Sequence, residues 1–139
     1  MPGLLGCLMF PADLIRPSRY WLPLTYAPKI PGVLAGTIRQ TIRVAGKTRY
    51  QAGDLIAFHG WAGKPYRSPW SFRTEYFELR EAIPILIMPY GISSVAWKKH
   101  DELARLDGIS PATGLELGRV LCEYNDIPES GAPGYILRW

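Results

Sequence analysis

Polar and apolar residues alternate over Gln40-Thr41-Ile42-Arg43-Val44, the period-two pattern of a strand with one wet face. Behind the turn signal Gly53-Asp54, the apolar run Leu55-Ile56-Ala57-Phe58-His59 predicts a buried central strand. Residues 20–26 favour a strand, but Pro23 lacks an N–H and confines it to a sheet edge or a strand end. Two further strands are expected over 72–79 and 82–88, the second bulged at Pro84, and a last one over 135–139. Residues 60–69 read as a loop, because Gly60, Gly63, Pro65 and Pro69 permit no regular element, and residues 125–134 read as a polar turn.

The helical periods are fewer. Residues 28–35 predict a short helix with Pro31 in its first turn and Gly36 as its stop. A second helix is expected over 94–106, ended by Gly108. In a third, Ser110 caps the start, Pro111 opens it, and Leu117, Val120, Leu121 and Tyr124 form one buried stripe. Residues 1–19 have no period and three prolines, and read as an extended arm. Strands outnumber helices, so the expected fold class is α+β, mainly β: a small β barrel with two or three flanking helices. The expected organisation is an extension over 1–20 and one domain over 21–139.

Composition narrows this further. At 139 residues, 47% hydrophobic and 20% charged, the chain has the make-up of one globular domain, and 14 Gly with 13 Pro disfavour a helical bundle. Cys7 and Cys122 form no Cys-x-x-Cys, so neither a disulfide framework nor a thiolate metal site is implied, and neither a metal nor a cofactor is expected. No apolar run approaches the roughly 20 residues that span a bilayer, and the apolar start lacks the flanks of a signal peptide. The expectation is a chain in the reducing cytoplasm with no membrane partner.

Charge is unevenly placed. Residues 39–73 hold seven basic side chains against the single acid Asp54, whereas from Thr74 onward ten acids face six bases. Eight of the 17 aromatics lie within residues 50–77. Interleaved cations and rings attract phosphate and offer stacking faces to unpaired bases. The candidate ligand contacts are Arg39, Arg43, Lys47, Trp61, Lys64, Tyr66, Arg67 and Trp70. The loop carrying Lys64 lacks the spacing of a nucleotide P-loop.

Leu34-Ala35-Gly36-Thr37-Ile38-Arg39-Gln40-Thr41-Ile42-Arg43, followed by residues 50–56, resembles the opening of the ASCH domains of the PUA-like superfamily of small β barrels. Residues 101–109 and 135–139 are similar to that family's late helix and final strand, so the resemblance covers about residues 21–139. The family signature is Gly-x-Lys-x-x-Glu-x-Arg. Here Gly36 and Arg43 hold its first and last positions, while Ile38 stands at the lysine position and Thr41 at the glutamate position. Members that hydrolyse N4-acetylcytidine carry Lys and Thr at those two places and a carboxylate in the late helix. The resemblance therefore implies Thr41 and Asp107 as two members of a catalytic set whose lysine is missing from its usual place.

Without that lysine the Thr41 hydroxyl has no evident base. Binding of RNA or a modified nucleoside in a basic, aromatic-lined cleft between barrel and late helices is thus the leading expectation. A hydrolase acting on N4-acetylcytidine-type amides, or a ribonuclease, is the alternative, with Thr41, Asp107 and His59 as its catalytic residues. A third possibility is a protein-interaction module anchored by Trp61 and Trp70. For Arg43 the open choice lies between a ligand anion and an ion pair with Asp54 or Asp107, and Asp54 itself is expected to hydrogen-bond its own turn.

Overall fold

The computed structural model describes residues 17–61 and 70–139. Its strands are β1 (Arg19–Pro23), β2 (Gln40–Val44), β3 (Leu55–Trp61), β4 (Trp70–Arg73), β5 (Phe77–Glu78), β6 (Glu81–Met88), β7 (Gly91–Ile92) and β8 (Ala132–Arg138). Its helices are α1 (Ile30–Ala35), α2 (His100–Leu106) and α3 (Gly114–Tyr124), with 3-10 turns at Ala27–Lys29 and Trp97–Lys99 running into α1 and α2. The fold is mixed α+β, mainly strands, curled as a half barrel with helices at its side.

Two sheets build it. One has the order β1-β3-β4, with β5 also on β3, and β1 runs parallel to β3. The other is antiparallel in the order β2-β8-β6-β7. Because side chains on a strand alternate between faces, β8 serves two cores. Tyr135, Leu137 and the following Trp139 join Leu22, Ile56 and Phe58 between the sheets. Ile136 joins Ile42, Ile85 and Ile87 against Leu103, Leu117 and Leu121 of the helices.

Several expectations meet their elements closely. β2 has the expected bounds, β1 is an edge strand ending at Pro23, and α1 stops at Gly36 in the left-handed conformation, φ 81°. Others are corrected. The expected wet face of β2 is largely covered, since Gln40, Thr41 and Ile42 are all buried and Arg43 and Val44 half-buried: Ile42 packs against the helices, and Arg43 lies over Phe58 of the first sheet. Gly60 and Trp61 belong to β3, where Gly60 leaves room for the Phe72 ring: a Cβ there would lie 2.3 Å from it. The run 72–79 breaks into β4 and β5, while β6 passes through Pro84 opposite Tyr135.

At the helices, residues 94–96 precede the 3-10 turn, and α3 is capped by Thr113, whose hydroxyl accepts from Glu116 N–H at 3.1 Å. Ser110 is therefore not the cap; the Ser110–Pro111 peptide is cis. Leu117, Val120 and Leu121 are buried as expected, but Tyr124 is exposed. β8 begins at Ala132, inside the expected turn. Residues 1–16 of the expected arm lie outside the described residues. Among the described residues no helix is long and apolar enough to cross a membrane.

Candidate functional site

The 3-10 turn before α1 carries Lys29 into the interior. Its aliphatic stem passes over Gly108, where a Cβ would lie 2.7 Å from Lys29 Cβ and 3.4 Å from the Ile38 side chain. Gly108 has φ +77°, so this close crossing and the backbone turn both call for glycine. The Lys29 Nζ then lies 3.1 Å from Thr41 Oγ1 and 3.2 Å from Asp107 Oδ2. All three residues are buried. Position 38 holds an apolar isoleucine, and it is Lys29, from the turn before α1, that brings an amine to Thr41.

Thr41 and Arg43 share one face of β2, as a two-residue spacing requires. Arg43 Nε donates to Thr41 Oγ1 at 3.2 Å, so the hydroxyl oxygen lies between the Lys29 amine and the Arg43 guanidinium. Gln40, on the opposite face of β2, donates from Nε2 to Asp107 Oδ1 and to Leu103 O, both at 3.3 Å. The two faces of one strand end therefore address both ends of the Lys29–Asp107 pair.

Electrostatics follow from the burial. Loss of solvent pulls the Lys29 amine below the usual lysine range, with Arg43 adding to the effect and Asp107 opposing it. Loss of solvent likewise raises the Asp107 carboxyl, against the pull of Lys29, Gln40 and Arg43. Both shifts favour uncharged forms, so the proton between Nζ and Oδ2 is held in a low-polarity setting.

Lys29, Thr41, Arg43 and Asp107 line one part of a cavity of about 560 Å³, its floor. Leu22, Leu24, Ile42, Val44 and the α3 residues Leu117 and Leu121 give it apolar walls, while Tyr26, Tyr50, Tyr124 and Asn125 add polar positions. Tyr26 hydroxyl is engaged by Ser110, donating to its carbonyl at 3.3 Å and accepting from its N–H at 3.1 Å, and the Tyr26 ring meets Tyr124 edge-on. Burial pushes the Tyr50 phenol up, so it stays an O–H donor. A cleft between sheet and late helix is thus present, but its rings are these tyrosines.

The expected site residues separate into groups. Thr41, Arg43 and Asp107 converge on the cavity; Arg43 reaches Thr41, while Asp54 accepts from Ser18 N–H and from Gln51 N–H in its own turn. His59 does not line the cavity. It belongs to the other face of β3 from buried Phe58, between Trp21 and Trp61, and burial together with Arg73 and Arg43 holds it below the usual imidazole range. Arg39 is exposed and donates to Trp139 O, and Lys47 is exposed in the turn after β2. Trp61 packs on His59; Lys64, Tyr66, Arg67 and the Trp70 side chain lie outside the described residues.

Lys29, Gln40, Tyr26, Tyr50 and Tyr124 are the site residues that sequence reasoning missed. One signal pointed to Lys29: it is the single cation between Arg19 and Arg39, placed just before the apolar stretch of α1. Among the described residues no group of three or more His, Cys, Asp or Glu side chains gathers as for a metal ion. Comparison with family models, with curated proteins and with solved structures finds no match.

Proposed function

We propose that this chain binds a modified nucleoside in the cavity and hydrolyses an N4-acyl amide of the cytidine type, using Thr41 as nucleophile, Lys29 as proton carrier and Asp107 as the partner of Lys29. The observation that carries the reading is the position of Lys29 Nζ between Thr41 Oγ1 and Asp107 Oδ2 at the cavity floor. It supplies the base whose absence from position 38 weighed against amide chemistry. The resemblance to the ASCH domains of the PUA-like superfamily points to the same substrate class.

In this reading Thr41 Oγ1 attacks the acyl carbonyl while its proton passes to Nζ. Lys29 hands that proton to the departing N4 amine as the carbon–nitrogen bond breaks, which leaves an acyl ester on Thr41 and free cytidine. Water then attacks the ester, losing a proton to Nζ, and the acid leaves as Thr41 regains its proton. The fixed positive charge of Arg43 beside Thr41 Oγ1 favours the oxyanion formed in both halves. The test is turnover of N4-acetylcytidine to cytidine and acetate. Wild-type protein should turn over, and Thr41→Val and Lys29→Met should each lose at least about a hundredfold, the low end of what a positioned proton carrier contributes. Equal rates in all three would remove the reading.

A second reading, RNA binding, has its own support. On the outer face of β1 and β3 the Arg73 guanidinium lies 4.5 Å from the Trp21 ring centre, Arg19 lies over Tyr76, and Trp21 is 40% exposed. This cation-and-ring surface suits phosphate and stacked bases. Binding to single-stranded RNA that weakens steeply with salt and drops in a Trp21→Ala, Arg73→Ala double variant would support it; binding indifferent to both would oppose it.

A further inference from the structure

We propose that Gln40, oriented by Arg138, is a positioning residue that fixes which oxygen of Asp107 meets Lys29 and so where the shared proton resides. The inference rests on the hydrolase reading for its consequence in turnover, but its geometry stands apart from any substrate.

The orientation of the Gln40 amide is set by two partners whose roles are unambiguous. Arg138 has only donors, and its Nε lies 2.9 Å from Gln40 Oε1. Leu103 O is only an acceptor, and it lies 3.3 Å from Gln40 Nε2. The amide nitrogen must therefore face Asp107 Oδ1, which lies 3.3 Å away. A donor there requires Oδ1 to be a bare acceptor. Any proton on Asp107 then sits on Oδ2, in line with Lys29 Nζ at 3.2 Å. Were Gln40 reversed, its carbonyl would accept a proton from Oδ1 and turn the acid away from the lysine.

The supports run outward from there. Arg138 is opposite Gln40 on the paired strands β2 and β8, and Glu81 on β6 holds its Nη1 at 3.4 Å from the exposed side. The charged groups facing Asp107 are Lys29 from the 3-10 turn and Arg43 from β2. On its own helix, Arg105 is turned out to Glu102 and solvent.

Removing the Gln40 donor makes the carboxylate a stronger base, so both proton-binding steps of the pair should move to higher pH. The experiment is a carboxyl-carbon NMR titration of Asp107 in ligand-free wild type, Gln40→Met and Arg138→Met, alongside the pH dependence of kcat/KM on N4-acetylcytidine. The expected result is an Asp107 midpoint raised by about one pH unit in Gln40→Met, a tenfold change in proton affinity, and by less in Arg138→Met. The acid limb of kcat/KM should move with it. A lower rate with unmoved titration and unmoved limb would overturn the proposal. Should Gln40→Met not fold, Arg138→Met on the half-buried strand end decides alone. If wild type shows no turnover, the hydrolase reading fails, while the titration still decides the role of Gln40.

Discussion

Taking an ammonium and a carboxylate out of water costs several kcal/mol per ion, and a single contact between them offsets this only in part. Lys29 and Asp107 meet that condition with both side chains almost wholly covered. Lys29→Met should lower stability by about 3–5 kcal/mol, because the buried Asp107 carboxyl is left without its partner, whereas Lys29→Met with Asp107→Leu should recover most of that loss in urea unfolding. The pH dependence has a definite sign. Asp107, raised on folding, stabilises the fold below pH 3.8 and loses that contribution as pH rises through its folded value. Lys29, lowered on folding, contributes above pH 10.5 and loses that contribution as pH falls through its folded value. The stability of wild type relative to the double variant should therefore pass through a minimum near neutrality; a maximum there would contradict the burial argument. Thr41 and Asp107 were singled out in the sequence, and both line the cavity. Lys29 was not, because nothing in a one-dimensional pattern says that a turn nine residues before position 38 folds back to bring an amine to the same oxygen.

At the scale of elements, glycine decides how the 3-10 turn and the end of α2 cross. Gly108→Ala should cost about 1–2 kcal/mol from the left-handed backbone alone and also push Lys29 away from Thr41, since the new Cβ would lie 2.7 Å from Lys29 Cβ. Gly36→Ala has φ +81° and no described atom within 4 Å of the new Cβ, so it should show the backbone cost without the loss of turnover. Comparing the two by urea unfolding and N4-acetylcytidine turnover separates strain from displacement. His100 anchors the other end of α2: buried, it accepts from Ile92 N–H at 3.0 Å through Nε2, while Nδ1 donates to Ala96 O. His100→Ala should lose about 1–3 kcal/mol, because that buried N–H has its acceptor removed. Element existence was readable where the period was pure, as over residues 40–44, and the bounds failed where tertiary contact overrode local signals. Pro84 stays in β6 because its neighbours pair with β8 on either side, and Gly60 stays in β3 because Phe72 occupies the space a side chain would need.

For the molecule as a whole, the half barrel sets two chemically different surfaces on opposite sides of the first sheet. Inside lies the cavity with its lysine, threonine and aspartate; outside lies the Trp21, Arg73 and Tyr76 surface. The excess of cations and rings over residues 39–73 was visible in the sequence, but not its division between the two faces, which depends on β1 adding to β3 in parallel. Arg43 turns inward and Arg73 outward although both belong to the same basic segment. The central claim is that the buried amine activates the Thr41 hydroxyl toward an acyl carbon, and acid-quenched peptide mass spectrometry after mixing with N4-acetylcytidine tests it most directly. The account predicts an acetyl group on Thr41 in wild type, formed with cytidine and absent in Lys29→Met. Cytidine released with Thr41 unmodified, at the same rate in Thr41→Val, would contradict it.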